Sequence, residues 1–544
     1  MSGIVGIVNA DGAPVDRDLL SRMTKFMSFR GPDGQDIWID GNVGFGNTLF
    51  LTTCDAGPML IAGGDVSITA DARIDGCAAA ELTDAERILR AYETWGEECV
   101  DHLIGDFAFA IWDKRKRRLF CARDHFGVKP FFYARVGNSF SFSNTLNALR
   151  LDARMSDELN ERAIDDYLES GLNQDLASTI FRDIQRLPGG HTLSISNGSF
   201  TTRRYWAPTV KNEIRFRNSR SYVERFSELL TTAVKDRLRT DRVSISMSGG
   251  LDSTSLAVVA RDALQETAAP SSVQAFATVY DSLIPDEERH YSTLAAASLG
   301  IPIHHLNADN YSLFEEPRAG DLDVPEPFLL GPLAGQYNDL LRLMAGNARV
   351  ALTGYDGDAL MNESRRAYVA SVVRSFWPGS LRISQQRSAT MRNRRAATID
   401  ALQSKVWPAL FEGYDPGATR LALEVRHPFI DVRLVEYMLS IPAFPWCIKK
   451  QILRSAMQGR LPDAVLHRPK SPLTVDPALQ LSRRAGVRWL DNFEVTPQLT
   501  RFVNLSHRRS QAEETPNALW ANLRVFALNH WLAHSLPIDR RMVA

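Results

Sequence analysis

Short apolar runs rich in β-branched or aromatic side chains dominate the chain up to about residue 205. They fall at 4–8, 43–46, 66–69, 107–112, 118–122 and 131–133, with turn residues between them, so each predicts a strand. Two stretches interrupt with apolar positions at helical spacing. One is 16–27; the other is 84–95, where Ile88, Leu89, Tyr92 and Trp95 recur at that spacing. Runs of strands broken by a few helices predict an α+β unit.

From about residue 220 the pattern alternates. Strand 243–247 precedes helix 253–265, strand 273–279, helix 287–299, strand 303–306, helix 335–344 and strand 349–353. That order predicts a parallel sheet with helices on both faces, and such sheets bind ligands beyond the carboxyl ends of their strands. The stretch 365–470 reads as helical. The join falls near Trp206-Ala207-Pro208-Thr209, so the expected domains are 1–207 and 208–544. No internal repeat or low-complexity tract is present.

One strand end carries chemistry. Apolar 243–247 runs into Ser248-Gly249-Gly250-Leu251-Asp252-Ser253, and a helical pattern follows. Glycines let the backbone approach a phosphate, and free N–H groups at a helix start point toward it. Ser248 and Ser253 add hydroxyl donors. Asp252 would repel phosphate unless a cation lay between them, which implies Mg²⁺. The plainer alternative is a tight turn before a helix. The loop differs from GxxxxGK[ST], which carries its own lysine. A second polar loop, Gly354-Tyr355-Asp356-Gly357-Asp358, ends another expected strand, so Asp252 and Asp358 could share metal ions. The alternative for Asp358 is a helix cap. Several lysines follow, Lys449, Lys450 and Lys470 among them, and chemistry alone does not choose between them.

Composition narrows the class. At 544 residues the chain exceeds one ordinary core. A formal net charge of −1 implies no global pull toward nucleic acid or membrane. Five irregularly spaced cysteines without CxxC predict free thiols in a reducing compartment. No basic, apolar leader and no long apolar run occurs, so a cytoplasmic location without a membrane span is expected. Residues 365–395 hold eight arginines and no acidic residue. They read as a solvated helix face or as a basic wall for an acidic peptide or ATP.

SGGLDS resembles the pyrophosphate loop of the N-type ATP pyrophosphatases, which cleave ATP between α and β phosphates and form an adenylate. The whole chain resembles the asparagine synthetase family. The resemblance rests on Met1-Ser-Gly-Ile-Val-Gly-Ile7, Arg30-Gly-Pro-Asp-Gly34, Gly105–Asp113, Arg123-Asp124, Gly127–Tyr133, SGGLDS, Leu352–Asp358 and Arg426–Asp431. It implies an N-terminal α+β, Ntn-hydrolase-like (glutaminase-like) β-sandwich domain. It also implies a C-terminal α/β parallel-sheet ATP pyrophosphatase (adenylating) domain with helical additions. The cofactors it implies are ATP and Mg²⁺. Ser246, Ser248, Gly249, Gly250, Leu251, Asp252, Ser253 and Gly354 would hold the nucleotide, and Asp252 and Asp358 the metal. Lys450 matches a lysine facing pyrophosphate. Lys470 matches one that stabilises charge at the reacting carbonyl and α-phosphate.

Departures from the family pattern say more. The family's glutaminase needs Cys after the initiator Met, and this chain has Ser2, although an N-terminal Ser can serve as a nucleophile elsewhere. The family's glutamine-holding segments read Asn47-Thr48-Leu49-Phe50, Asp71-Ala-Arg-Ile-Asp-Gly76 and Leu103–Phe107, and no Arg remains for the α-carboxylate. The domain resembles a relic that no longer makes ammonia. Tyr355 stands where asparagine synthetases carry Glu, similar to β-lactam synthetases, whose Tyr–Glu pair deprotonates the substrate's own amine. That likeness implies Glu412 as partner, with Glu424 as second choice. Packing under the loop is the alternative for Tyr355.

Within the family the chain most resembles lasso peptide cyclases, on Arg426–Tyr437, Pro445–Arg454, Arg468–Leu473, Arg30–Gly34, Gly44–Gly46 and Leu51–Thr53. The implied reaction adenylates an Asp or Glu side chain of a precursor peptide. The peptide's N-terminal amine then closes a macrolactam. The resemblance leaves room for a leader peptidase and a leader-binding protein as partners. The rivals are an ammonia-dependent asparagine synthetase, a β-lactam-synthetase-like small-molecule amide ligase, and a non-catalytic scaffold.

Overall fold

The structure is a computed structural model. It describes residues 1–52, 57–76, 82–196, 198–266, 272–315, 324–327, 331–355, 357–361, 395–468, 475–484, 494–504 and 516–534.

The N-terminal part is built on two six-stranded sheets. In spatial order the first contains Ile184–Arg186, Phe132–Val136, Ser139–Ser143, Gly3–Asn9, Val43–Leu49 and Gly34–Asp40. The second contains Ser199–Arg204, His191–Ser196, Arg118–Arg123, Gly105–Asp113, Val66–Ile74 and Leu60–Ile61. Strand Gly105–Asp113 is buried along its whole length, and period two explains how. Phe107, Phe109 and Ile111 pack with Ile88 and Tyr92 of helix Asp84–Trp95, while Ala108, Ala110 and Trp112 join the core shared with Ile4, Phe45 and Phe142 of the other sheet. Thr83 and Glu86 form a capping box that starts that helix. Helix Arg17–Phe26 lays Leu19, Leu20 and Met23 against Val5 and Ile7, on the first sheet's outer face. Asp16 caps it by accepting from the Leu19 N–H.

The C-terminal sheet is parallel, in the order Ile303–Asn307, Ser272–Val279, Arg242–Ser246, Val350–Thr353, Glu424–Arg426. The chain winds outward from Arg242–Ser246 to one edge and returns to its other side at Val350–Thr353. Such a reversal opens a ligand crevice beyond the carboxyl ends of those two strands, because the connections leave them in opposite directions. Helices Ser219–Leu238 and Leu251–Gln265 share one core with Val243, Ile245, Val350 and Leu352. Helix Ala334–Asn347 contributes Leu341 and Met344 to another, with Phe276, Ala351 and Val425.

The expectation that 365–470 is helical needs correction at Glu424–Arg426, a strand that pairs with Val350–Leu352. Three residues are too few to carry a periodic signal, and the neighbouring strand sets their conformation. Most of the arginine-rich stretch lies outside the described residues. Its last member, Arg395, is buried and donates to Cys447 Sγ at 3.2 Å and to the Ile441 carbonyl at 3.0 Å. That side chain is neither a solvated face nor a ligand wall. Among the described residues no helix is long and apolar enough to cross a membrane, and Cys99, Cys121 and Cys447 are buried thiols.

Charge crosses the join between the two parts. Arg30 pairs with Asp415, Lys129 with Glu424 at 3.2 Å, and Arg239 with Asp84 at 3.1 Å. Arg237 bonds Asp431 at 2.7 Å and reaches Asp106 at 3.6 Å.

Candidate active site

Strand Arg242–Ser246 delivers Ser248-Gly249-Gly250 into the crevice, and helix Leu251–Gln265 leaves it. Only the first glycine is demanded by geometry. Gly249 has φ +71°, and a Cβ there would sit 2.5 Å from the Ser292 nitrogen. Gly250 has φ −76° and meets only Ser248 Oγ, at 3.3 Å. The second loop presses on the same helix start. A Cβ on Gly354 would meet Ser253 N at 2.7 Å, and one on Gly357 would meet the Asp252 carboxyl carbon at 2.6 Å. The two polar loops thus form one floor, with the N–H groups of the helix's first turn directed away from its own carbonyls.

Above this floor lies a cavity of about 950 Å³. Ser246, Ser248, Gly250, Leu251, Asp252, Ser253 and Gly354 line it together with Lys449, Lys450, Arg454 and Arg468. Its size is at the upper end for small-molecule sites. Lys450 Nζ lies 2.5 Å from Asp252 Oδ2 and 2.8 Å from Asp358 Oδ1, so one cation already joins the two carboxylates expected to hold metal. Among the described residues no group of three His, Cys, Asp or Glu side chains could hold a metal. The donor set fits Mg²⁺ that takes one or two carboxylates and completes its octahedron with water and phosphate oxygens.

A second chamber of about 370 Å³ adjoins the first and shares Ser246, Ser248, Glu288 and Tyr355 with it. Tyr280, Asp286, Gln336, Tyr337 and Tyr414 also line it. Tyr355 is 42% exposed and sits 5.8 Å, centroid to centroid, from Tyr414, which is 5.2 Å from Tyr337. Burial pushes the Tyr337 and Tyr414 phenols well up, so both stay protonated as hydrogen-bond donors.

The expected Tyr355–Glu412 pair is not formed. Arg186 grips Glu412 with Nε at 2.9 Å and Nη2 at 3.0 Å, and Arg123 Nη2 adds a third contact at 3.0 Å. On helix Val406–Tyr414, residues 412 and 414 stand about 200° apart. Tyr414 therefore faces the chamber while Glu412 faces the N-terminal part. The second choice, Glu424, begins its strand, at the end remote from the crevice. It is buried against Lys129 and Arg426, whose Nε lies 3.0 Å away. Lys470 lies outside the described residues.

Two arginines escaped sequence reasoning. Arg454 donates to the carbonyls of Lys449 at 3.0 Å, Arg468 at 3.3 Å, and Leu466, tying the Lys449-Lys450 turn to the chain that leads toward Lys470. Arg468 reaches the Ser248 carbonyl at 3.3 Å and Glu288 at 3.2 Å, and lies over the Tyr291 ring. Their only sequence signal is their place in a basic stretch.

In the N-terminal part, Ser2 is buried at 3% exposure. Its N–H donates to Asp71 at 3.1 Å and its Oγ accepts from the Phe50 N–H at 3.2 Å. Asn144 holds both the Ser2 carbonyl, at 2.8 Å, and Asp71, at 3.1 Å. Lys129 Nζ closes the group, 3.2 Å from both Asp71 and Glu424.

Residues 1–206 match the family described as glutamine amidotransferase domain, and 225–414 and 409–514 match asparagine synthase. The glutamine-hydrolyzing asparagine synthetase 3 of Bacillus subtilis is 27% identical over 545 residues, covering 87% of this chain and 86% of that one. Asparagine synthetase 2 of the same organism is 26% identical, covering 87% and 71%. The glutamine PRPP amidotransferase of B. subtilis aligns over 56% of this chain and 65% of its own, with 12% identity and a TM-score of 0.28, too low to carry weight.

Proposed function

The chain belongs to the asparagine synthase family and is an ATP-dependent carbon–nitrogen ligase, and from that premise we propose that it is a lasso peptide cyclase. Its domains divide at 207/208. It joins an Asp or Glu side chain of a precursor peptide to that peptide's own N-terminal amine.

The observation that carries the reading is the state of Ser2. A buried serine stands at position 2, its N–H on Asp71, its carbonyl on Asn144 and its Oγ accepting from the Phe50 N–H, and this supports the reading that the domain does not hydrolyse glutamine. Without ammonia from that domain, the amine must arrive on the substrate. An α-amine with a pKa of about 8 is already roughly one-tenth neutral at pH 7, so a strong carboxylate base is unnecessary. Tyr355, backed by Tyr414, orients this amine where the two chambers meet.

ATP with Mg²⁺ supplies the activation of the carboxylate as an acyl-adenylate with loss of pyrophosphate. Ser246, Ser248, Gly249, Gly250, Leu251, Ser253 and Gly354 cradle the phosphates, and Asp252 and Asp358 would hold the metal. Lys470 offsets negative charge as the amine attacks. Removing such a stabiliser costs on the order of 100- to 1,000-fold in rate. The precursor peptide is the partner, with a leader peptidase and a leader-binding protein expected upstream in a cytoplasmic setting.

The test is incubation with ATP, Mg²⁺ and a leader-free precursor peptide. Loss of one water from the peptide with one AMP released supports the reading. Aspartate converted to asparagine with ammonium, or turnover of an amino-acid-sized substrate alone, would replace it.

A further inference from the structure

Lys450 sits where a metal between Asp252 and Asp358 would sit. Its ammonium touches both carboxylates, and the side chain is only 14% exposed. The chain holds it there deliberately. Lys449 and Lys450 both have left-handed backbones, φ +51° and +59°. The Lys450 N–H is tied to the Met361 carbonyl at 3.0 Å and the Lys449 carbonyl to Arg454 at 3.0 Å. We propose that Lys450 is a resident counter-cation that keeps free Mg²⁺ out of the site until a nucleotide arrives with it. This rests on the reading that Asp252 and Asp358 carry the metal.

Charge explains the expected behaviour. With Lys450 in place, the two carboxylates and one ammonium sum to a single negative charge. A bare divalent ion must then either displace the ammonium or share the pocket with it as a like charge. Among the described residues it would gain two protein carboxylates, fewer ligands than Mg²⁺ needs. A triphosphate changes both terms. Its oxygens complete the metal's shell and offer the ammonium a new acceptor. Lysine suits this shift, being a compact charge on a flexible four-carbon stem. Lys450 thus has two stations, the carboxylates before nucleotide entry and the phosphates after it, and metal and nucleotide bind as one unit.

The experiment measures Mn²⁺ binding to the full-length protein by electron paramagnetic resonance, with no nucleotide and again with a non-hydrolysable ATP analogue. Lys450→Met and Lys450→Gln should bind Mn²⁺ at least tenfold more tightly than the unaltered protein when nucleotide is absent. Lys450→Arg, which keeps the cation, should not. The gain should vanish when Asp252→Asn is added. If both uncharged variants keep the original nucleotide-free affinity while Asp252→Asn still abolishes nucleotide-dependent Mn²⁺ binding, the lysine role is wrong and the metal assignment stands. If Asp252→Asn and Asp358→Asn leave nucleotide-dependent Mn²⁺ binding intact, the metal assignment fails and the lysine role with it.

Discussion

Replacing Glu412 by alanine separates a structural carboxylate from a catalytic one. The change removes three charge-assisted hydrogen bonds, two from Arg186 and one from Arg123. The Arg123 and Arg186 side chains are 0% and 8% exposed, so their charges cannot turn to water. Removing one partner of a buried ion pair costs about 3–5 kcal/mol. Arg186 keeps Glu326, and Arg123 keeps the carbonyls of Gly127, Lys129 and Leu187, which favours the low end. At about 2.1 cal/mol/K of unfolding entropy per residue, about 3 kcal/mol corresponds to a fall of roughly 4 °C in the transition of a unit of about 340 residues. Scanning calorimetry measures it, and Arg186→Met in a double-mutant cycle should show strong coupling, because the two share one interaction. Amide formation assayed well below the transition should retain its pH dependence, with activity lost only as far as helix Val406–Tyr414 shifts Tyr414. An unchanged melting temperature together with a rate loss of 10²–10⁴-fold, the range for a general base, would refute this assignment.

Three further outcomes are expected. Gly249→Ala should cost about 2 kcal/mol or more, roughly thirtyfold in nucleotide affinity by calorimetry, because it adds left-handed strain to a backbone clash, whereas Gly250→Ala should bind nearly normally; equal losses would contradict the loop geometry. Tyr414→Phe keeps the ring but removes the hydroxyl shared with Tyr337 and Tyr355, so kcat should fall about tenfold while the KM for ATP holds. Burial holds His427 down to about 3 and His125 down to about 4. Unfolded histidine takes its proton near 6.5, so the unfolded chain binds more protons in acid. Stability is complete above about pH 6.5 and is lost by about 1.4 kcal/mol per pH unit for each histidine as pH falls toward those values. Denaturant titrations between pH 6.5 and 5 should show this slope, and His427→Gln should lower it by about one proton; an unaltered slope would remove His427 from the account.

Much of the architecture was legible from local pattern. Helix Asp84–Trp95 is found where its apolar spacing placed it, and Arg17–Phe26 within a residue of expectation at each end. Four of the parallel sheet's five strands, all but the edge strand Glu424–Arg426, and the three helices between them lie within a few residues of their expected bounds. Some elements were not expected. Strand Ser199–Arg204 is exposed along its length, so its sequence has no apolar run to find. Helix Ser219–Leu238 was not among the expected elements, although Asn218 caps it and Tyr222, Phe226, Leu229, Leu230 and Ala233 recur at helical spacing. In the site, both polar loops met at one cavity, as strand order implied. The pairing of Tyr355 did not follow, because a helix places 412 and 414 on opposite sides however close they stand in the chain.

By itself the sequence determined that a strand, a glycine turn and a helix would present backbone N–H groups, with Asp252 beside them. Those properties depend on neighbours within a few residues, and local sterics settle them. Tertiary structure alone decided which charges meet. Glu412 finds Arg123 and Arg186 across 289 and 226 residues, and Lys450 finds Asp252 across 198. Every carboxylate offers the same chemistry in the sequence. Its role is set by which cation the fold brings within about 3 Å, since the energy of a charge pair depends steeply on distance and on the water excluded around it.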